Sequence, residues 1–491
     1  MSDLTQTSVR RLTWLLFALF WLLPAPFLPE YGGANPMTRL MLTTSVVDAG
    51  TTRIDPYHEL TVDKALHGGH FYSDKAPGMA ILAVPVYAGA RAFADADGAL
   101  LDLVEPGKRF ETLNGFSAAT FKFILFFGAG LLFACAGVAL FRLCLHLSGN
   151  PTAAVMATST AMLATPYLGW STQFLGHATA GSLLIIAFAL SHGLTLALTT
   201  RSQIVRAAIA GACLSFAVSV EYTAAPSAAI VGFYALWRLS GVARPQAFWF
   251  FGAAMAGGIL AAAPMLIYHH ISFGSPFAVG YSSVVGFEGM EEGFHGLTLP
   301  DLEVIAKLLV GPQRGLIWLS PVLVFGLYGL WWAFRKRALS PEIWVALAVI
   351  GYYFALNGSY YYWQGGSSIG PRHTIPAMPF FGIVMLGAWL AITGPMRRLL
   401  VAFFCLSVFL NVAAASVDMT VTLGYGFPVY DPILTGVFTE NNSFARLGHF
   451  GIPLWASLGL WLIVMGALIW TLARCLHVLP RAEAGDPVPT P

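Results

Sequence analysis

Apolar stretches of about 20 residues, the length that crosses a bilayer as a helix, follow one another along nearly the whole chain. Candidate spans lie near 12–29, 116–145, 152–170, 178–198, 205–222, 224–240, 247–273, 315–334, 342–357, 374–393, 399–417 and 452–473. Only 10% of the 491 residues are charged and 57% are hydrophobic, with a mean hydropathy of +0.69. A soluble domain carries about 25% charged residues. The chain reads as an all-α polytopic membrane protein of about twelve transmembrane helices, one integral membrane domain over residues 1–491. A net charge of +2 without a basic run gives no nucleic-acid partner. All five cysteines lie in or beside apolar segments, so they read as small apolar side chains.

Charge placement sets the expected topology, because Lys and Arg gather on short cytoplasmic loops. With residues 79–94 taken as an interfacial helix, one face collects Arg10, Arg11, Arg142, Arg201, Arg206, Arg238, Arg244, Arg335, Lys336, Arg337, Arg397, Arg398, Arg474 and Arg481. The same face holds only Asp3, Glu342, Glu483 and Asp486 among the 24 acids. Both termini are then cytoplasmic, and residues 12–29 are a retained signal anchor rather than a cleaved leader. The large polar stretches 30–115, 274–314, 358–373 and 418–451 belong to the outer face, so any chemistry is expected there.

The first of these loops is the densest, with Arg39, Asp48, Arg53, Asp55, Asp63, Lys64, His70, Tyr72, Asp74 and Lys75. Attack by a hydroxyl needs a carboxylate within hydrogen-bond reach. A departing phosphate needs fixed cations where its charge grows, and the helix opening after Pro77-Gly78 favours an anion at its N-terminus. The bland alternative is that Asp74 and Lys75 anchor the loop by ordinary ion pairs. Farther on, Gly370-Pro371-Arg372-His373 puts a guanidinium at the start of an apolar helix, a costly position that suits a lipid phosphate. The neighbouring Tyr360, Tyr361, Tyr362 and Trp363 fit an interfacial aromatic belt. Arg314 suits either a phosphate or a loop carboxylate such as Glu291 or Glu292. His177, Glu221, His269 and His270 lie at the outer ends of spans, where ionisable groups are functional candidates. The histidines with a nearby acid also offer ligands for a divalent metal, although no ligand triad shows at helical spacing. No Walker loop, dinucleotide fingerprint or nucleophile elbow occurs in a supporting setting, so the substrate itself must carry the energy of any reaction.

Tyr72-Ser73-Asp74-Lys75-Ala76-Pro77 is similar to the Tyr-x-acid-Lys-Pro-Pro element of the GT-C superfamily of membrane glycosyltransferases. The whole layout, with a long first outer loop before a multi-span body, resembles the protein O-mannosyltransferases and the transferases that add aminoarabinose to lipid A. Gly370 to Pro376 looks like the arginine-plus-proline helix entry of such proteins. The resemblance implies an inverting glycosyltransferase of a bacterial inner membrane, working on the periplasmic face. Its donor would be a polyprenyl-phosphate-linked sugar, its acceptor a periplasmic protein, lipid or glycan, with membrane lipids around it. Lys75, Arg372 and Arg314 would hold the phosphate; Arg39, His70, Glu221, His269 and His373 would line the substrate site, and Tyr72, Tyr361 and Trp363 would stack on the sugar. The family's Asp-Glu pair after the first helix is missing from Gly33-Ala34-Asn35-Pro36-Met37-Thr38-Arg39. The base then falls to Asp55, Asp63 or Asp74, with Asp55 favoured by the turn at Ile54-Asp55-Pro56-Tyr57 and Asp48 held in reserve. The rival reading is a transporter or flippase for lipid-linked sugars, which needs the same cations but no base.

Overall fold

A computed structural model describes residues 3–29, 33–92, 115–195, 199–336, 340–439, 442–444 and 453–478. The loop portions 93–114 and 445–452, together with Arg337, Arg481, Glu483 and Asp486, lie outside the described residues. The chain begins with α1 (Asp3–Leu22), whose Leu12, Leu16, Leu19 and Phe20 form one buried stripe at helical spacing. That stripe lies on α5 (Leu131–Ser148) and α18 (Leu454–Val478). A proline at position 24 ends the helix, since it has no N–H to continue the ladder.

The next segment, α2 (Ala34–Ala49), is buried along most of its length despite carrying Thr38, Arg39, Thr43, Thr44 and Ser45. Two of its hydroxyls close on backbone carbonyls of the helix itself, Thr43 on Arg39 O at 3.0 Å and Thr44 on Met41 O at 2.9 Å. A 3-10 turn (Asp55–Leu60) leads into the short antiparallel pair β1 (Ala65–His67) and β2 (His70–Tyr72), with Leu66 opposite Phe71. Its two-residue connection is Gly68-Gly69, both at positive φ (58° and 82°), the backbone that a tight hairpin requires. This hairpin is a small addition to the all-α reading. The stretch expected near 79–94 forms a helix, α3 (Gly78–Ala92), packed on α2 and tied to it where Tyr87 Oη (2.6 Å) and Arg91 Nε (2.8 Å) donate to Asp48.

The body continues as α4 (Gly115–Leu125), a π turn (Phe126–Gly130) and α5. Trp21 Nε1 donates to Phe126 O at 3.0 Å, satisfying a carbonyl of the wide turn. Then come α6 (Pro151–Leu163), α7 (Tyr167–Trp170), α8 (Gly176–His192), α9 (Thr200–Val220), α10 (Ala225–Ser240) and α11 (Arg244–Phe273). The remainder is α12 (Leu302–Val310), α13 (Leu316–Leu319), α14 (Phe325–Arg335), α15 (Pro341–Ser359), α16 (Phe381–Ala391), α17 (Gly394–Val417) and α18.

Among the described residues, eight helical segments are long and apolar enough to cross a membrane: Thr7–Phe27, Ala119–Ser148, Gly176–Thr195, Thr200–Val220, Arg244–Phe273, Arg372–Ala391, Gly394–Val417 and Leu454–His477. This makes the chain a multi-pass membrane protein. The other four expected spans fall on shorter, broken or more polar elements. Residues 152–170 divide at Thr165-Pro166 into α6 and α7, and 315–334 divide at Ser320-Pro321 into α13, a 3-10 turn and α14. At the second break the freed backbone is satisfied from α17: Asn411 Nδ2 donates to Leu319 O at 2.7 Å, and Val322 N–H donates to Ser407 Oγ at 3.1 Å. The span near 224–240 is the 16-residue α10, and that near 342–357 is α15, which carries Glu342 and Asn357. Glu342 is buried with Tyr234 Oη 2.5 Å and His192 Nδ1 3.1 Å from its Oε1, which ties together the ends of α8, α10 and α15 opposite the cavity described below.

Candidate active site

The C-terminus of α9 meets the N-terminus of α8, the first loop and the loop after α15 around a cavity of about 410 Å³. Glu221 follows α9 in extended conformation (φ −151°, ψ 112°) and is buried. Its Oε2 lies 3.4 Å from His177 Nδ1 and 3.9 Å from an Arg39 terminal nitrogen. Arg39 is itself buried and fully directed: Nε to Asn35 Oδ1 (2.9 Å), Nη1 to Ala76 O (2.9 Å) and Nη1 to Val220 O (3.3 Å). One guanidinium thereby joins α2, the start of α3 and the end of α9. Gly176 opens α8 where any Cβ would strike Val220 O and stand 2.7 Å from Glu221 Oε2, so only glycine lets the two helix ends approach this closely.

Lys75 enters the cavity from the first loop, with Nζ 2.6 Å from Asp74 Oδ2 and 3.4 Å from Asp63 Oδ1. Burial by itself would lower its pKa, but the two carboxylates outweigh burial and hold the ammonium above its ordinary value. The Tyr281 and Phe287 rings flank the same nitrogen, each at 5.8 Å. Asp74 Oδ1 is buried without a hydrogen-bond partner.

Across the cavity stand Arg372 and His373. Among the described residues Arg372 forms no ion pair, and its Nε is buried without a hydrogen-bond partner. The His373 ring packs edge-on against His177 (5.3 Å) and Tyr360 (5.2 Å). Arg314 holds this loop from behind: Nε donates to Gln364 O (2.9 Å) and Nη2 to Gly366 O (2.9 Å). It meets neither Glu291 nor Glu292, and it is absent from the cavity lining. Burial, with Arg372 nearby, lowers its pKa to about 10, which leaves it charged at neutral pH.

The structure thus brings Lys75, Glu221, Arg372 and His373 together, with Arg39 one contact behind. It places the other expected residues elsewhere. Asp55 accepts from Phe71 N–H (2.7 Å) and lies 2.8 Å from His70 Nδ1. Burial is the largest single influence and raises its pKa, but the bonds from Phe71 and His70, with the charges of His70 and Arg53, together outweigh it and hold the carboxyl below its ordinary value. Asp55 and His70 therefore pin the hairpin, apart from the cavity lining. We expect Asp55→Asn to cost about 1 kcal/mol of stability while leaving any turnover within about threefold of wild type, measured by thermal unfolding beside an activity assay. Acidification below the ordinary carboxylate value of 3.8 should loosen the same hairpin, because stability from a depressed carboxylate is lost as pH falls through its folded pKa. Tyr72 packs on Phe273 at 5.5 Å. His269 accepts from Tyr222 Oη at 2.7 Å and donates to Pro276 O at 3.2 Å. Tyr361 lies against Gly289 and Gly296, and the Trp363 ring faces Lys307 at 5.8 Å. No group of three or more His, Cys, Asp or Glu side chains suited to a metal forms among the described residues.

Sequence reasoning passed over Asn35, Tyr281, Asn357 and Tyr360, all of which line the cavity. Asn35 had a signal, since it stands in the stretch where the resembling enzymes carry their acidic pair. Tyr360 differs from its singled-out neighbour Tyr361 by one position, and only the turn of the loop decides which ring faces inward.

No family model matches the chain, and no curated protein matches it. Among solved structures, ArnT from Cupriavidus metallidurans bound to undecaprenyl phosphate superposes with a TM-score of 0.51 at 13% identity, covering 95% of this chain and 76% of that one. The apo form of the same protein gives 0.49 at 12% identity. At such identity a likeness speaks for architecture alone. The chain shares the overall fold of ArnT.

Proposed function

We propose that the protein transfers a sugar from a polyprenyl-phosphate donor to an acceptor on the periplasmic face of a bacterial inner membrane, with inversion at the anomeric carbon. The observation that carries this reading is Arg372, a half-buried guanidinium on the cavity whose Nε is sealed and unbonded and which has no ion-pair partner among the described residues. A protein seldom keeps such a charge unmatched unless an anion comes to it. Lys75, held charged on the same cavity, supplies a second cation for the phosphate. The GT-C fold, seen with undecaprenyl phosphate bound in ArnT, supports the donor class. The distribution of basic residues supports twelve spans, cytoplasmic termini and an outer site, and the lipid tail would lie between helices. The acceptor is a protein, lipid or glycan.

The test is reconstitution in liposomes of bacterial envelope lipid with radiolabelled polyprenyl-phosphate sugars. One donor should be consumed with release of polyprenyl phosphate. Label that crosses the bilayer with the donor intact would mean a flippase and overturn the transferase reading.

A further inference from the structure

We infer that Glu221 is the general base that accepts the proton of the attacking acceptor hydroxyl. The inference rests on the transferase reading above and departs from a first-loop carboxylate in that role. Glu221 is the only carboxylate among the described residues lining the cavity that also holds Lys75 and Arg372. Its Oε2 is buried and makes no hydrogen bond, since both His177 and Arg39 approach it without hydrogen-bond geometry. A base must keep its carboxylate uncommitted to a hydrogen-bond donor, and neither neighbour captures this one. Arg39 supplies charge without capturing the oxygen, and Gly176 fixes how far the carboxylate stands from α8.

The first-loop acids do not line this cavity, although Asp74 Oδ1 is likewise unbonded. Asp55 is bound to Phe71 and His70, and Asp63 and Asp74 face Lys75. Those two carboxylates orient and charge the lysine, and protonating either would weaken the cation that the phosphate needs. In the step itself, the acceptor oxygen bonds to the anomeric carbon as its proton passes to Glu221. The bond from that carbon to the phosphate oxygen breaks, and its electron pair leaves with the polyprenyl phosphate, beside Arg372 and Lys75. Glu221 returns its proton to water as the products depart.

The experiment compares wild type, Glu221→Gln and Glu221→Ala in liposomes, following polyprenyl phosphate binding and single-turnover donor consumption, with and without sodium azide. The expected result is a loss of about 100-fold or more in consumption for both variants, with binding unchanged within about threefold. Azide, a nucleophile that carries no proton to remove, should then restore consumption by Glu221→Ala at least about tenfold and yield a glycosyl azide, while leaving wild type unaffected. Retained consumption in Glu221→Gln, lost polyprenyl phosphate binding, or failure of azide to rescue a variant that still binds would each overturn the assignment. If wild type consumes no donor at all, the transferase reading falls first and takes the base with it.

Discussion

Replacing Arg372 with alanine is expected to slow single-turnover transfer by about 10²- to 10³-fold, the usual effect of deleting one preorganised group at the site where charge develops. The protein should nonetheless unfold at the same temperature or higher. Arg372 has no ion-pair partner among the described residues and its Nε is buried and unbonded, so its removal relieves a desolvated charge instead of stranding one. Opposite signs for activity and stability are the mark of a residue retained for function. Lysine at this position should recover only part of the rate, because a point charge cannot grip two phosphate oxygens as a planar fork does. Alanine at Lys75 gives a less readable answer. It leaves Asp74 and Asp63 buried without their cation, so lost folding, about 3 to 5 kcal/mol for a broken buried pair, would obscure lost transfer. A thermal melt of Arg372→Ala at or above that of wild type, together with a collapsed rate, is the informative result. Equal rates would remove Arg372 from the phosphate site.

The second large effect concerns Gly176→Ala. Alanine ordinarily favours a helix over glycine by about 1 kcal/mol, so propensity alone predicts a gain. Sterics predict the reverse, since the added methyl meets Val220 O and Glu221 Oε2. Overpacking of this kind costs about 1 to 3 kcal/mol, and here the obstacle is backbone at the end of α9 that cannot swing aside. Moving Glu221 by about 1 Å would further reduce turnover about 100-fold. Denaturation and single-turnover measurements on this one variant separate the two opposing effects by sign.

The membrane class and the order of apolar segments were legible because hydropathy is local: a run such as Gly394–Val417 declares itself without reference to the rest of the chain. The breaks were only half legible. Pro166 and Pro321 are visible as residues, but whether a proline ends a span depends on partners for the freed backbone, and Asn411 and Ser407 lie about 90 positions away from the second break. The cations Lys75 and Arg372 were found from their own surroundings, a polar loop and a helix entry. Which acid faces them was not, because Asp55, Asp63, Asp74 and Glu221 look alike until the hairpin closes on the first and Lys75 draws in the next two. Arg314 illustrates the same limit. Its partners are the carbonyls of Gln364 and Gly366, and backbone carbonyls leave no trace in composition.

Arg39 has a consequence for anyone building chimeras of this architecture. It bonds to Asn35, to Ala76 O and to Val220 O, while Gly78 sits where a Cβ would lie 2.5 Å from the backbone of Ser219 and Val220. Residues 34–80 and 219–222 are therefore one exchangeable cassette, although some 140 positions of sequence divide them. A graft that transplants the loop alone would carry the arginine to a carbonyl it was never matched to. A graft that carries both pieces keeps the joint.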